Sequence, residues 1–211
     1  MTKNLKQSWL EINSWLEKEA PKIKQTLNPP ATEGELDKLR TVVDTLLPSD
    51  LISLYSIHNG MDNEKTANLV YGIPFLSIQD SIREILNYNT LDPEELFYAD
   101  IGIDKKYIFS KYRIPIGSDS GTCLLCVDLK PTDQGLVGQV ILLDYERNTA
   151  LVISKSVSEM YYLFSEHLKA GEYSLLEEAL EDGVEWLKPS KEFDIINWHN
   201  TSQWGEILNK T

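Results

Sequence analysis

The sequence predicts an α+β fold in which a mainly antiparallel sheet of about four to six strands is backed by helices. Two nearly continuous apolar runs of strand length, residues 123–129 and 139–143, form a central hairpin. Gly135 and Gly138 between them supply turn conformations at no steric cost. Apolar residues recur at helical spacing before and after the hairpin, so we expect both of its faces to be covered and helices to pack against it.

The totals indicate one soluble domain with an appendage. The chain has 211 residues, 42% of them hydrophobic, and a formal net charge of -13. We expect a main domain over residues 1–171 and an acidic, aromatic-containing extension over residues 172–211 that packs on it. This charge repels polyanions, so nucleic acid is not expected as a partner. No signal peptide or long apolar run is visible, which predicts a cytoplasmic protein without a membrane partner.

The N-terminal third should be helical. Leu5, Trp9, Ile12 and Leu16 predict an amphipathic helix over about residues 4–19, which Pro21 ends or kinks. Prolines at 29 and 30 then form a stiff connection to the next element.

Two further helices are predicted before residue 60. Thr32 and Glu35 form a capping box, followed by apolar residues that predict a helix over about residues 33–46. Pro48 fits the first turn of a third helix, for which Asn59 and Gly60 are the C-terminal stop. Gly60 is expected in the left-handed conformation.

The middle of the chain is β-prone but interrupted. Residues 69–76 predict a short or edge strand, because Gly72 and Pro74 limit it, and Ser77 or Asp80 caps a helix through Asn87. Residues 88–107 form an irregular excursion, and loops of this length are often functional. Residues 150–153 predict another strand.

The C-terminal part begins with a helix that Ser156 caps and that ends at Gly171. The extension after it carries too many large apolar residues for a disordered acidic tail, so it should fold back on the domain.

Cys123 and Cys126 are predicted to be reduced, buried thiols. A separation of three along a strand places them on opposite faces, a geometry unsuited to a disulfide. Their spacing also occurs in redox motifs and in half of a zinc site, but a redox pair favours a helix N-terminus and zinc requires a second ligand pair. We therefore predict neither metal nor redox function.

Three groups of polar residues are candidate sites. Residues 117–121 resemble a nucleophile elbow, but Asp119 stands where that motif requires serine, which favours a turn. Asp119, Asp128 and Asp144 could converge as carboxylates of a hydrolase, or could cap backbone amides, as turn and strand-end acids commonly do. Residues 62–64 (Asp-Asn-Glu) could bind a hard cation or form a solvated loop. No catalytic, cofactor-binding or metal-binding residue is predicted.

An acidic surface outside the core is the predicted partner-binding site. It combines the excursion with the extension and attracts a cationic protein through charge. Its members are Asp92, Glu94, Glu95, Asp100, Asp104, Glu177, Glu178, Glu181 and Asp182. A merely solvated acidic face is the alternative.

A set of short motifs follows a fixed order along the chain. It comprises residues 15–16 (Trp-Leu), 20–21 (Ala-Pro), 27–32 (Leu-Asn-Pro-Pro-Ala-Thr), 47–50 (Leu-Pro-Ser-Asp), 54–55 (Leu-Tyr), 58–60 (His-Asn-Gly), 114–116 (Ile-Pro-Ile), 126–131 (Cys-Val-Asp-Leu-Lys-Pro) and 138–141 (Gly-Gln-Val-Ile). This ordered set resembles the SUKH superfamily, in particular its branch of Smi/Knr fungal cell-wall assembly regulators. Within it, six residues are assigned structural roles: Pro48, Asn59, Gly60, Pro115, Asp128 and Gly138.

The resemblance implies a non-enzymatic binding role without cofactors. Bacterial members commonly act as immunity proteins in toxin-antitoxin systems, and fungal members regulate cell-wall synthesis through protein contacts. Our leading interpretation is an immunity protein that occludes a cationic toxin domain. The alternatives are a scaffold that regulates cell-wall assembly of the glucan-synthesis type and, as a third, an unrecognised hydrolase.

Overall fold

The computed structural model describes residues 4–88, 90, 94–202 and 204–205, and it has the α+β fold that the sequence predicts. The strands of its central sheet are β1 (Tyr98–Ala99), β2 (Arg113–Ser118), β3 (Cys123–Asp128), β4 (Gln139–Asp144) and β5 (Thr149–Ser154). They lie in the order β1-β5-β4-β3-β2, and only β1 pairs in parallel. Every residue of β2, β3 and β4 is buried, which confirms the central hairpin.

Seven α-helices occur in the described ranges: α1 (Leu5–Glu19), α2 (Pro21–Lys24), α3 (Glu33–Val43), α4 (Ser49–Tyr55), α5 (Ile78–Tyr88), α6 (Val157–Lys169) and α7 (Glu177–Glu181). A two-stranded antiparallel ribbon, β6 (Tyr173–Leu175) with β7 (Leu187–Pro189), belongs to the extension. In this part of the chain, no helix combines the length and the apolarity that crossing a bilayer requires.

Helix starts follow the capping residues. The Oδ1 atom of Asn4 accepts from the amide of Gln7, and the predicted capping box of Thr32 and Glu35 is complete. Helix α3 ends at Val43, three residues before its predicted end at 46, because Asp44 adopts the left-handed conformation with φ 54°. Helix α4 begins directly after Pro48 and ends at Tyr55, earlier than its predicted stop.

Asn59 and Gly60 connect three segments of the N-terminal half. Oδ1 of Asn59 accepts from the amide of Ile78 at 2.9 Å, and its Nδ2 donates to Oε1 of Glu35 at 2.9 Å. Gly60 has the predicted left-handed backbone, with φ 71°, and a Cβ there would lie 2.3 Å from the amide nitrogen of Ser77. The loop is therefore fixed to the starts of both α3 and α5.

Other residues of the motif set also make structural contacts. Pro48 packs against Gly138, where a Cβ would lie 3.2 Å from the proline Cγ. The carbonyl of Pro115 accepts from the hydroxyl of Ser81 at 2.6 Å. The carboxylate of Asp128 accepts a hydrogen bond from the amide of Lys130, and burial raises the pKa of the Asp128 carboxyl.

The strand predicted over residues 69–76 is wrong. Tyr71 and Gly72 both have positive φ, 59° and 76°, and the chain turns through a short 3-10 helix, Val70–Gly72. Phe75 alone forms an isolated bridge, to Gly117 on β2. The β-prone residues of this segment instead bury their side chains in the core.

The two faces of the sheet are covered differently. On one face, Cys123, Leu125 and Val127 belong to the main core together with residues of α1, α3, α4 and α6. On the other face, Leu124 and Cys126 pack with apolar residues of the segment 94–109. The expected covering on both faces is present, but helices provide it mainly on one. The segment 94–109, here called the lid, thus covers the second face of the sheet. It includes much of the predicted excursion and contains the short strand β1.

The extension packs on the main core. Tyr173, Leu187, Ile195 and Trp198 are buried there. Buried polar contacts hold it: both polar atoms of the Asn68 side chain bond the backbone of Leu187, and the amide of Tyr71 donates to the hydroxyl of Tyr173.

Two surface loops touch at a pair of glycines. Gly102 lies in the excursion and Gly135 in the connection between β3 and β4. A Cβ on Gly102 would lie 2.8 Å from Cα of Gly135, and one on Gly135 would lie 2.4 Å from the carbonyl oxygen of Gly102. The carbonyl of Gly102 also accepts from the amide of Thr132 at 3.0 Å. The lid over the second face is therefore joined to the central hairpin.

Candidate functional site

A recess of about 590 Å³, here called the cleft, lies between the loop 61–67, helix α5, the turn 118–120 and the extension. The extension contributes Trp186 to its wall. Five acidic side chains and two basic ones line the cleft: Asp62, Glu64, Asp80, Glu84, Asp119, Lys65 and Arg83. Its polar and aromatic lining suits recognition of a polar ligand.

Asp80 is the buried carboxylate of the cleft. It lies in the first turn of α5, where Oδ2 accepts from the hydroxyl of Ser77 at 2.6 Å. Oδ1 accepts from Nδ2 of Asn63 at 3.1 Å and lies 2.6 Å from Nη2 of Arg83. Asp80 therefore joins α5 to the loop 61–67 and shapes the cleft.

The Asp62-Asn63-Glu64 segment, weighed as a cation site, lines the cleft. Oδ1 of Asp62 accepts from the amide of Glu64, and Oδ2 lies 3.2 Å from Nζ of Lys65. The hydrogen bond from the Glu64 amide, followed by that from Lys65, lowers the pKa of the Asp62 carboxyl. Lys65 thus occupies the position of a cation beside Asp62. Across the described residues, no group of three or more His, Cys, Asp and Glu side chains is arranged to hold a metal ion.

Tyr88 and Tyr145 bring aromatic rings to the cleft. Tyr88, at the end of α5, stacks on Phe109 with ring centroids 4.0 Å apart and planes 2° from parallel. Tyr145 follows β4, and its ring centroid lies 6.2 Å from that of Tyr88. Burial, and then the nearby carboxylate of Glu84, raises the pKa of the Tyr88 hydroxyl above its ordinary value. Tyr88 therefore stays protonated at neutral pH.

The three acids weighed as hydrolase carboxylates cap backbone amides. Asp119 accepts from the amides of Gly121 and Cys123 at 2.8 and 2.9 Å, so residues 117–121 form a turn. Asp128 pairs with Gln139, and Asp144 pairs with Cys123, which places these two acids at opposite ends of the β3-β4 hairpin. The capping prediction is confirmed, and Asp128 and Asp144 cannot act as a carboxylate pair.

The two cysteines lie on opposite faces of the sheet, as their spacing predicts. Cys123 belongs to the main core and Cys126 to the cluster beneath the lid. Burial raises the pKa of each thiol to about 12. Both are therefore thiols rather than thiolates at neutral pH, which disfavours nucleophilic chemistry.

The residues of the predicted acidic surface lie in two segments of the chain, the extension and the lid, and their role in partner binding stays a prediction. Glu177, Glu178, Glu181 and Asp182 are exposed on and just after α7, in the extension that packs on the main core. Glu94, Glu95 and Asp104 are exposed in the lid, against the other face of the sheet. Asp100 has a structural role, since its Oδ2 accepts from the amide of Val152 at 2.8 Å. Asp92 lies outside the described residues.

Sequence reasoning missed the aromatic part of the cleft. Tyr88, Tyr145 and Trp186 stand far apart in the chain: Tyr88 ends α5, Tyr145 follows β4, and Trp186 precedes β7. The sequence carries no signal that separates Trp186 from the other large apolar residues of the extension, which are expected to pack on the domain.

Comparisons with known proteins give consistent results. The chain is 24% identical to the "Glucan synthesis regulatory protein" of Neurospora crassa, over 96% of this chain and 46% of that protein. It is 20% identical to the "Cell wall assembly regulator SMI1" of Saccharomyces cerevisiae, over 81% of this chain and 42% of that protein. It is 21% identical to the "Cell wall biosynthesis/cell cycle regulator smi1" of Schizosaccharomyces pombe, over 79% of this chain and 36% of that protein.

The chain thus spans less than half the length of these three relatives. Their names describe regulators of cell-wall or glucan synthesis, which supports our second interpretation better than the leading one of toxin immunity. A family model described as "SMI1 / KNR4 family (SUKH-1)" matches residues 30–162, a span that includes the central sheet and most of the cleft. The chain therefore belongs to the SMI1/KNR4 family, SUKH-1.

Proposed function

We propose that this chain is a non-enzymatic, protein-binding module that regulates cell-wall assembly from the cytoplasm, with the cleft as its docking site. The cleft is the observation that carries the proposal. It is concave and is lined by aromatic rings and charged groups, features that occur at sites of recognition. The names of the relatives supply the biological setting.

The contacts of Asp80 and Asp119 favour binding rather than catalysis. A general acid or base at neutral pH needs a pKa near 7 and a free path to the reacting atom. In the cleft, Asp80 is held by Ser77, Asn63 and Arg83, and Asp119 is held by backbone amides. These contacts keep both carboxylates in structural roles.

A chimera tests the regulatory role, because the chain corresponds to less than half of each relative. The matched segment of the S. cerevisiae regulator is replaced by this chain, and the β-glucan content of the cell wall is measured in a strain that lacks the native protein. The chimera should restore glucan content. A second chimera with Gly60→Val, a substitution that should prevent folding, serves as the negative control. If the folded chimera accumulates normally and restores nothing, the proposed role is wrong.

A further inference from the structure

Trp186 is held in place by both of its neighbours in the chain. On one side, Oε2 of the buried Glu185 accepts from the amides of Lys22 and Ile23 at 2.7 and 3.3 Å. On the other side, the backbone of Leu187 bonds to the fully buried side chain of Asn68, with distances of 2.7 and 2.8 Å. Trp186 itself is half-buried and lines the cleft.

This arrangement orders an aromatic surface before any ligand arrives. The carbonyl of Trp186 accepts from the amide of Leu176, so its own backbone is also fixed. Binding normally costs free energy to immobilise side chains and loops, and a segment that folding has already ordered avoids much of that cost. Tryptophan is also the residue most enriched among those that dominate binding energy.

The charges of the cleft indicate a cationic ligand. Lys65 is paired with Asp62 and Arg83 with Asp80. Among the described lining residues, this leaves the negative charges of Glu64, Glu84 and Asp119 in excess. An anionic ligand would be repelled, whereas a cation gains from both the carboxylates and the aromatic faces.

Arginine matches this combination better than lysine. Its planar guanidinium can bond a carboxylate through two parallel hydrogen bonds and can stack on an aromatic ring at the same time. The ammonium group of lysine is a point charge with stronger hydration, and it lacks the planar stacking surface. Carboxylates and the rings of Tyr88, Tyr145 and Trp186 line the same recess.

We propose that the cleft binds an arginine-bearing segment of a partner protein and that Trp186 determines the preference for arginine. This inference rests on the proposed function, because it names the ligand class of the same docking site. The partner is recognised by chemistry that the extension supplies, since Trp186 lies outside the residues 30–162 that the family model matches.

The test compares two probes of equal charge, a tetra-arginine and a tetra-lysine peptide, by titration calorimetry with the full chain. General attraction to an acidic protein treats the two peptides alike, so their affinity ratio reports the contacts specific to the guanidinium group, namely stacking and paired hydrogen bonds. The chain should bind tetra-arginine several-fold more tightly than tetra-lysine. Trp186→Leu should remove most of that preference and weaken tetra-arginine binding roughly tenfold. Glu84→Gln should weaken both peptides.

Controls separate the cleft from the overall charge. The combined variant Glu177→Gln, Glu178→Gln, Glu181→Gln and Asp182→Asn removes four charges from and beside α7. It should weaken both peptides equally and keep their ratio. Urea unfolding checks that each variant is folded, and Trp186→Phe, which keeps a ring in the cleft, should retain part of the preference.

Three results would overturn the inference: equal affinity of the unmodified chain for both peptides, an unchanged ratio in Trp186→Leu, or binding of a β-1,3-glucan hexasaccharide at Trp186 in place of the arginine peptide. If one of these occurs while the chimera still restores wall glucan, the ligand assignment fails and the regulatory role stands. If the chimera restores no wall glucan but the arginine preference holds, the regulatory role fails and the ligand assignment stands.

Discussion

The indole nitrogen of Trp198 donates a 2.8 Å hydrogen bond to Oδ2 of Asp144, and both side chains are buried. Asp144 ends β4, whereas Trp198 lies in the last part of the extension that the structure describes. A residue near the end of the chain thereby satisfies a carboxylate at the edge of the central hairpin. The extension and the sheet are coupled through this contact.

Trp198→Phe should therefore destabilise the fold by about 1.5–3 kcal/mol, the usual range for a hydrogen bond to a charged group. The measurement is urea unfolding followed by circular dichroism. Trp9→Phe is the matched control, because Trp9 is equally buried but its indole nitrogen has no hydrogen-bond partner among the described residues. Equal losses in the two variants would show that the Asp144 contact contributes nothing.

Gly60→Ala should be severely destabilising. The added Cβ would meet the backbone of Leu76 and Ser77 at 2.3–2.6 Å, in addition to the conformational cost of φ 71°. We expect a loss above about 3 kcal/mol, since neither backbone segment can move without disturbing α5.

Gly183→Ala isolates the conformational cost, because φ there is 77° and no atom lies within 4 Å of the added Cβ. It should lose only about 1 kcal/mol. Thermal unfolding of both variants decides the matter, and similar losses would remove the steric argument.

His58 should make stability fall with acid. Burial lowers the pKa of this imidazole below its ordinary value of 6.5, with Lys24 nearby adding to the effect and the carbonyl of Asn28 opposing it. The unfolded chain then binds the proton more readily than the folded chain does. The stability that the neutral imidazole of His58 contributes is fully present above about pH 6.5, and it is lost as the pH falls through the pKa that His58 has in the folded chain.

His58→Gln should flatten the dependence of unfolding free energy on pH between about 5 and 7. Denaturant titrations at a series of pH values provide the measurement. A slope that is the same with and without His58 would assign the acid sensitivity to another group.

Asp100→Ala should loosen the edge of the sheet. Its carboxylate accepts from the amide of Val152 beyond the two residues at which β1 pairs with β5. Without it that amide loses its partner, so hydrogen exchange at Val152 should accelerate and stability should fall by about 1–2 kcal/mol. Glu95→Ala, in the same lid but exposed, should change neither quantity. Unaltered exchange at Val152 in Asp100→Ala would contradict this role.

Local signals in the sequence predicted most of the elements. The capping box at Thr32 works over four residues, and the apolar runs of β3 and β4 report burial on both faces. Such signals depend on residues that are close in the sequence, and here the local preferences agree with the tertiary structure. The strand prediction for residues 69–76 was wrong because the β-prone composition of this segment reflects burial in the core, whereas Tyr71 and Gly72 turn the chain.

The cleft lies beyond such reasoning. Its walls come from residues 61–67, α5, the turn at Asp119, Tyr145 and Trp186, which no local pattern links. The buried Asn68 shows the difficulty, because its role depends on the backbone of Leu187, 119 positions away.

The contact of Gly102 with Gly135 limits how this surface can evolve. Both residues belong to loops, where substitutions are usually tolerated, yet the backbone of each leaves no space for a side chain on the other, and Pro131 also crowds Gly135. Neither position can accept alanine first and wait for a compensating change at the second, since a larger partner only worsens the overlap. In a saturation-mutagenesis map, the two positions should stand out as a pair of intolerant sites within permissive loops, and drift between orthologues should move the residues around them while leaving this pair fixed.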